Sequence, residues 1–139
     1  MLSSERGSMT IWAMGLSLLL FAVGFLALDL WSGFSARQEA AAIADSAAIA
    51  GATAIDEAAW RTGSLVLNPA AAEMRATAAA LSHPAWISDM TVGANAGTSG
   101  VTVSVSRSIP FRFIAGFVPD RTAHITVTGY ADPGVEGLP

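Results

Sequence analysis

The first long feature of the pattern is an absence of charge. Between Arg6 and Asp29 no ionisable side chain occurs, and residues 8–28 include Leu18, Leu19, Leu20, Phe21, Val23, Phe25 and Leu26. At about 1.5 Å of rise per residue, a helix over these positions spans roughly 30 Å, the thickness of a bilayer's hydrocarbon core. Trp12 and Trp31 lie near its two ends, where indole rings favour the headgroup level. A cleavable signal peptide is the rival. Its apolar core is shorter, about 7–15 residues, and a small-residue cleavage site follows it. The pattern therefore predicts a retained membrane helix over residues 8–36, preceded by a cytoplasmic tail at 1–7.

Beyond the span the pattern changes to alanine. Eleven of residues 38–60 are Ala, the strongest helix former, and no Pro or turn cluster interrupts residues 8–61. The spacing predicts that residues 37–61 extend the same helix outward. Gln38, Glu39, Asp45, Ser46, Thr53, Asp56, Glu57 and Arg61 fall on one arc. The opposite arc carries Ala44, Ala48, Gly51 and Ile55, a smooth packing face that a neighbouring backbone can approach closely. That face packs either on the sheet of its own domain or on other copies in an assembly.

Thr62-Gly63-Ser64 breaks the helical pattern, and Asn68-Pro69 starts a second helix, with Asn as N-cap and Pro at the first helical position. It is expected to run over about residues 69–82 and to stop before Pro84. Strict alternation then takes over. Val101, Val103, Val105 and Ile109 alternate with Thr102, Ser104, Ser106 and Ser108, and Ala123, Ile125 and Val127 alternate with His124, Thr126 and Thr128. Each reads as a strand with one wet face. A weaker strand covers residues 87–94, with Met90 and Val92 inward and Asn95 to Gly100 as the hairpin loop. The fold class expected is α+β and membrane-anchored. A long N-terminal helix continues outward from the membrane, and a second short helix and a three-stranded antiparallel sheet complete a small extracytoplasmic domain over residues 62–130. Residues 131–139, with Pro133, Gly134, Gly137 and Pro139, read as a flexible tail.

Composition narrows the function. The chain has 139 residues, 53% of them hydrophobic and 13% charged, and a formal net charge of −4. An acidic chain lacks the basic footprint that nucleic acid requires. Cysteine is absent, which excludes a disulfide framework, a thiolate nucleophile and a Cys-based zinc site. No phosphate-binding, dinucleotide, zincin or serine-hydrolase motif occurs. His83 and His124 stand alone, without metal-ligand spacing. No catalytic residue, cofactor, metal or small-molecule substrate is expected. Residues 38–139 carry five Arg against nine Asp and Glu, a balance that suits the outer side. Together with a short N-terminal tail it places the N-terminus inside and the domain outside the cell membrane.

Two features resist a purely structural assignment. Asp29 stands at the outer edge of the span, where a carboxylate is costly; it either reaches into the interface or pairs with a cation. Phe111, Phe113 and Phe117 crowd the connection between the last two strands. They either cover the apolar face of the sheet or form a contact loop for a partner or the membrane surface.

The order of features in residues 5–52 resembles a known family. Arg6-Gly7-Ser8-Met9-Thr10-Ile11-Trp12, the apolar span, Leu28-Asp29-Leu30, Ala36-Arg37-Gln38 and the run from Ala40 to Ala52 are similar to the N-terminal region of TadE/TadG-like proteins of tight-adherence (Flp, type IVb-like) pilus systems. The resemblance implies processing at Gly7-Ser8 as a possibility. Pilin-type precursors cut after such a Gly usually carry Glu five residues on; Trp12 stands there instead. The departure leans toward the TadG-like side and an uncut N-terminus. The implied function is a non-enzymatic single-pass accessory or minor, pilin-like subunit, with the membrane and other pilus or secretion subunits as partners. The alternative is a secreted small β-rich binding module whose first third is an export signal.

Overall fold

The computed structural model describes residues 5–110 and 122–134, with side chains from Met9 onward. One helix dominates. Helix α1 runs unbroken over Glu5–Ala52, 48 residues, and carries both the apolar span and the first half of the Ala-rich stretch. Helix α2 is a single short turn at Glu57–Arg61 and α3 covers Pro69–Leu81. Three strands follow: β1 at Met90–Ala96, β2 at Val101–Pro110 and β3 at Thr122–Ala131. They form an antiparallel meander in the order β1-β2-β3. The α+β class and the three-stranded antiparallel sheet are as the alternation predicts.

The sheet lies along α1. Ile109 and Ala123 line a cleft with Gly33 and Arg37, Gly129 abuts Ala44 and Asp45, and Val101 abuts Gly51. From Gly33 to Gly51 a helix rises about 27 Å, and from Ile109 back to Val101 a strand covers about 26 Å. The strands therefore run nearly parallel to the helix axis, β2 toward the span and β3 away from it. Val101, Val103, Val105 and Ile109 are buried against the helical layer, with Ala40, Ile43, Ala44, Ala47 and Ala48 of α1 and Ala72, Ala76 and Ala80 of α3. Small side chains make this possible. A Cβ on Gly129 would stand 2.6 Å from the backbone C and O of Ala44, so β3 meets the α1 backbone where only glycine fits. The other sheet face is wet and largely hydroxyl-bearing, with Ser106 and Thr126 hydrogen-bonded across strands at 2.9 Å.

The helix expected through Arg61 ends earlier, at Ala52. Thr53 and Ala54 donate their N–H groups three residues back, to Ala50 and Gly51, and the Thr53 hydroxyl also bonds the Ala50 carbonyl at 2.7 Å. The chain then turns into an extended bridge in which Ile55 faces Leu67. Asp56 N–H donates to Val66 O and Asn68 N–H to Ala54 O. Asp56 starts α2 as its N-cap, accepting from Ala58 and Ala59 N–H. A tertiary bridge and a local cap thus overrule alanine's propensity. Asn68 caps α3 through its side chain and Pro69 opens it, and α3 stops at Leu81, ahead of Pro84. β1 is displaced relative to the expected 87–94, because Ala96 still pairs with Val101. That leaves Gly97 to Gly100 as the hairpin loop.

Candidate functional site: the junction of apolar span and packed domain

Helix α1 has two environments. From Met9 to Leu28 its side chains are exposed on every face; Trp12, for example, is 78% exposed. From Ala36 onward one face is packed on the sheet and α3. This exposed stretch is long and apolar enough to cross a membrane. A helix that is apolar on all its faces is found buried against protein or within a membrane.

Asp29 lies where the two environments meet. It is only 4% exposed, although Leu28, Leu30, Trp31 and Phe34 around it are exposed, Trp31 to 75%. The carboxylate is therefore turned to the protein side while its apolar neighbours face outward. Ser32 Oγ donates to the Asp29 carbonyl at 2.8 Å. Clefts open on both sides. One, of about 400 Å³, lies between Leu28, Asp29, Trp31, Ser32, Ser35 and Glu39 of α1 and Arg107, Ile109 and Pro110 of β2. The other, of about 210 Å³, is almost wholly apolar apart from Asp29 and Arg37, and runs against Ile109, Ala123 and Ile125.

Arg107 closes the first cleft. It sits on the inward face of β2, between Val105 and Ile109, paired across the sheet with Met90 and Ile125. Its Nη1 donates to Glu39 Oε2 at 3.0 Å, and its Nε lies 3.7 Å from Asp89 Oδ2. That Nε is buried and has no hydrogen-bond acceptor among the described residues. The pair ties helix to sheet at the end nearer the apolar span, with a charge-assisted bond whose value is moderated because Glu39 is about half exposed. The alternation contained the signal for Arg107, a cation at an inward position in the series 101, 103, 105, 107, 109, and the strand assignment passed over it.

The other residues singled out from sequence are distributed as follows. Ala44, Ala48 and Gly51 are buried in the domain itself. A Cβ on Gly51 would lie 3.1 Å from Ala72 O, Ala76 Cβ and Val101 Cγ1. Ile55 is separated from them, in the bridge beyond the helix end and 38% exposed. Gly7 and Ser8 belong to the first turns of α1. Phe111, Phe113 and Phe117 lie outside the described residues. Ser108 Oγ and His124 Nδ1 approach to 3.0 Å on the open polar face of the sheet, with no carboxylate hydrogen-bonded to the imidazole among the described residues. No group of residues able to hold a metal ion occurs among the described residues.

Residues 7–60 match the family model described as Putative Flp pilus-assembly TadE/G-like. The matched segment covers the span, the Asp29 junction, the packed part of α1 and the turn through α2. Comparisons with curated proteins and with solved structures return no match.

Proposed function

We propose, for a chain whose residues 7–60 are a TadE/G-like segment, that it serves Flp pilus assembly as a single-pass, non-enzymatic membrane subunit. The observation that carries this reading is the continuity of α1. The same 48-residue helix supplies an unpacked apolar stretch and the central element of the outer domain's core. Anchor and domain are then one rod, and a force or displacement on the domain reaches the bilayer without a hinge. The N-terminus lies in the cytoplasm and the domain outside the cell membrane, in keeping with the acidic balance of residues 38–139. Partners are other subunits of the pilus or secretion apparatus.

The segment joining β2 to β3, with Phe111, Phe113 and Phe117, starts at Pro110 and ends at Thr122, a paired couple at the membrane end of the sheet. Pro110 lines a cleft with Leu28 and Trp31. This location supports a contact role for the segment at the bilayer surface or against a neighbouring subunit.

Carbonate extraction of membranes and protease treatment of intact cells test the topology. The full-length protein is expected to stay with the membrane, with residues 38–139 accessible from outside. Release of full-length protein into the soluble fraction, or protection of those residues, would refute it. A mature chain lacking residues 8–28 would instead establish the secreted module.

A further inference from the structure

The two edges of the sheet are finished differently. Antiparallel pairs alternate between residues that exchange both backbone hydrogen bonds and residues that exchange none. Met90 N–H donates to Ile87 O and Ala96 N–H to Glu73 Oε1, both away from β2. Met90, Val92, Ala94 and Ala96 therefore form the non-bonded pairs with Arg107, Val105, Val103 and Val101. Those β2 residues bond β3 instead, through Ile125, Val127, Gly129 and Ala131. The backbone N–H and C=O groups of His124, Thr126, Thr128 and Tyr130 are then left pointing outward along the free edge of β3.

Among the described residues no backbone group is bonded to that outward row. The β1 edge is shorter, at 7 residues, and its own chain already takes the outward N–H groups of Met90 and Ala96. The β3 edge is 10 residues long and holds no Pro, Lys, Asp or Glu, and its pairing with β2 runs without a bulge. These are the devices that normally guard an edge against strand addition. Ile125 and Val127 are only partly buried at this edge, whereas Val103 and Val105 on the neighbouring strand are fully buried. One added strand would supply both missing rows, main-chain bonds along the edge and apolar cover on the helical side.

We propose that the edge of β3, over residues 124–130, accepts an extended segment of a different polypeptide as a fourth strand. The segment that fits alternates apolar residues, placed beside Ile125 and Val127 on the helical side, with polar ones beside Thr126 and Thr128. A copy of this chain does not fit. Two-fold pairing of β3 with itself makes the strands antiparallel, and because β3 runs nearly parallel to α1 it would reverse one anchor relative to the other. The β1 edge of a copy is partly filled by its own Ile87 and Glu73. This choice of occupant rests on the single-pass reading above, in which neighbouring anchors point the same way, and adds a binding surface to it.

The test follows amide hydrogen exchange by NMR in the full chain in detergent. The amides of His124, Thr126, Thr128 and Tyr130 are expected to exchange fast in the isolated chain, while those of Ile125, Val127 and Gly129 stay protected. The probe is a peptide of alternating Val and Thr, about seven residues long, with lysines at its ends. It should slow the outward amides by roughly tenfold or more. The same peptide N-methylated at adjacent central residues, which blocks both of its edges, should not. Thr126→Pro removes an outward N–H and no ladder bond, so it should keep the wild-type near-UV circular dichroism and lose the peptide's protection at Thr128 and Tyr130. Slow exchange of the outward amides in the isolated chain, equal or no protection by the two peptides, or a folded Thr126→Pro chain that is still protected overturns the proposal. Protection that grows with protein concentration in the absence of peptide assigns the edge to a second copy and overturns it as well. The peptide comparison decides the matter even if the variant fails to fold. No bilayer enters this measurement, so a failed topology experiment would refute the membrane reading and leave the exchange result standing.

Discussion

Replacing Gly129 by alanine tests the central packing contact with one methyl group. The new Cβ would stand 2.6 Å from Ala44 C and O and 2.8 Å from Asp45 N. Carbon contacts settle at about 3.5–4.0 Å, so the overlap is about 1 Å and every obstacle is backbone. No rotamer change relieves it; α1 and β3 must separate. A gap of about 0.5–1 Å already forfeits a quarter to a half of the dispersion attraction of each contact on that seam, where Val127 and Ala131 of β3 pack against the core that holds Ala40, Ala44, Ala47 and Val105. Overpacking costs about 1–3 kcal/mol in general, and rigid obstacles place this case near the top, at about 3 kcal/mol. For a domain of this size that lowers the melting temperature by roughly 12–24 °C. Near-UV circular dichroism of the full chain in detergent follows the tertiary packing of helix on sheet. Gly97→Ala is the control, since its nearest added contact is 3.9 Å away, and it should stay within about 0.5 kcal/mol of the wild type. Ala44→Gly should not rescue Gly129→Ala, because the clash is with main-chain atoms. A Gly129→Ala protein melting like the control, or one rescued by Ala44→Gly, would refute the placement of β3 on α1.

Gly51→Leu should unfold the α+β domain rather than merely weaken association, because the position is enclosed by Ala72, Ala76 and Val101 at 3.1 Å; limited proteolysis reads the loss, and Glu57→Gln on exposed α2 should be neutral within about 0.5 kcal/mol. A folded, protease-resistant Gly51→Leu chain would sink that expectation. A double-mutant cycle of Arg107→Met with Glu39→Gln should give a coupling of about 0.5–1 kcal/mol, measured by denaturant unfolding, and zero coupling would mean that the 3.0 Å pair does not hold helix to sheet. Mass spectrometry of the mature protein should find Gly7 and Ser8 still joined, since Trp12 replaces the acidic residue expected five positions on; a chain starting at Ser8 would reverse this. Substituting Phe111, Phe113 and Phe117 together by Ser should reduce membrane-surface contact or subunit association without dissolving the anchor, checked by vesicle flotation and co-purification, and unchanged behaviour in both would remove the contact role.

Local physics made much of this molecule legible from its residues. A charge-free run of bilayer length, a capped start at Asn68-Pro69 and a period-two alternation at residues 101–109 and 123–128 each depend on neighbours in the chain. Such signals survive without tertiary information. The end of α1 is different in kind. Alanine propensity favours helix through Ala59, but the bridge of Ile55 to Leu67 and the bond from Asn68 N–H to Ala54 O come from the segment leading into α3, which the helix could not anticipate. Which partner the smooth face of α1 receives was likewise undecidable from spacing. Ala44, Ala48 and Gly51 suit a neighbouring helix or a sheet equally, and only the close approach of Gly129 and Val101 assigns them to the domain's own core. Asp29 and Arg107 show the same division most clearly. As letters they are an acid at the end of an apolar run and a cation out of step in an apolar alternation. The chain path brings β2 back along α1 to line one cleft with both, because side-chain charge is a local property and the company it keeps is a long-range one.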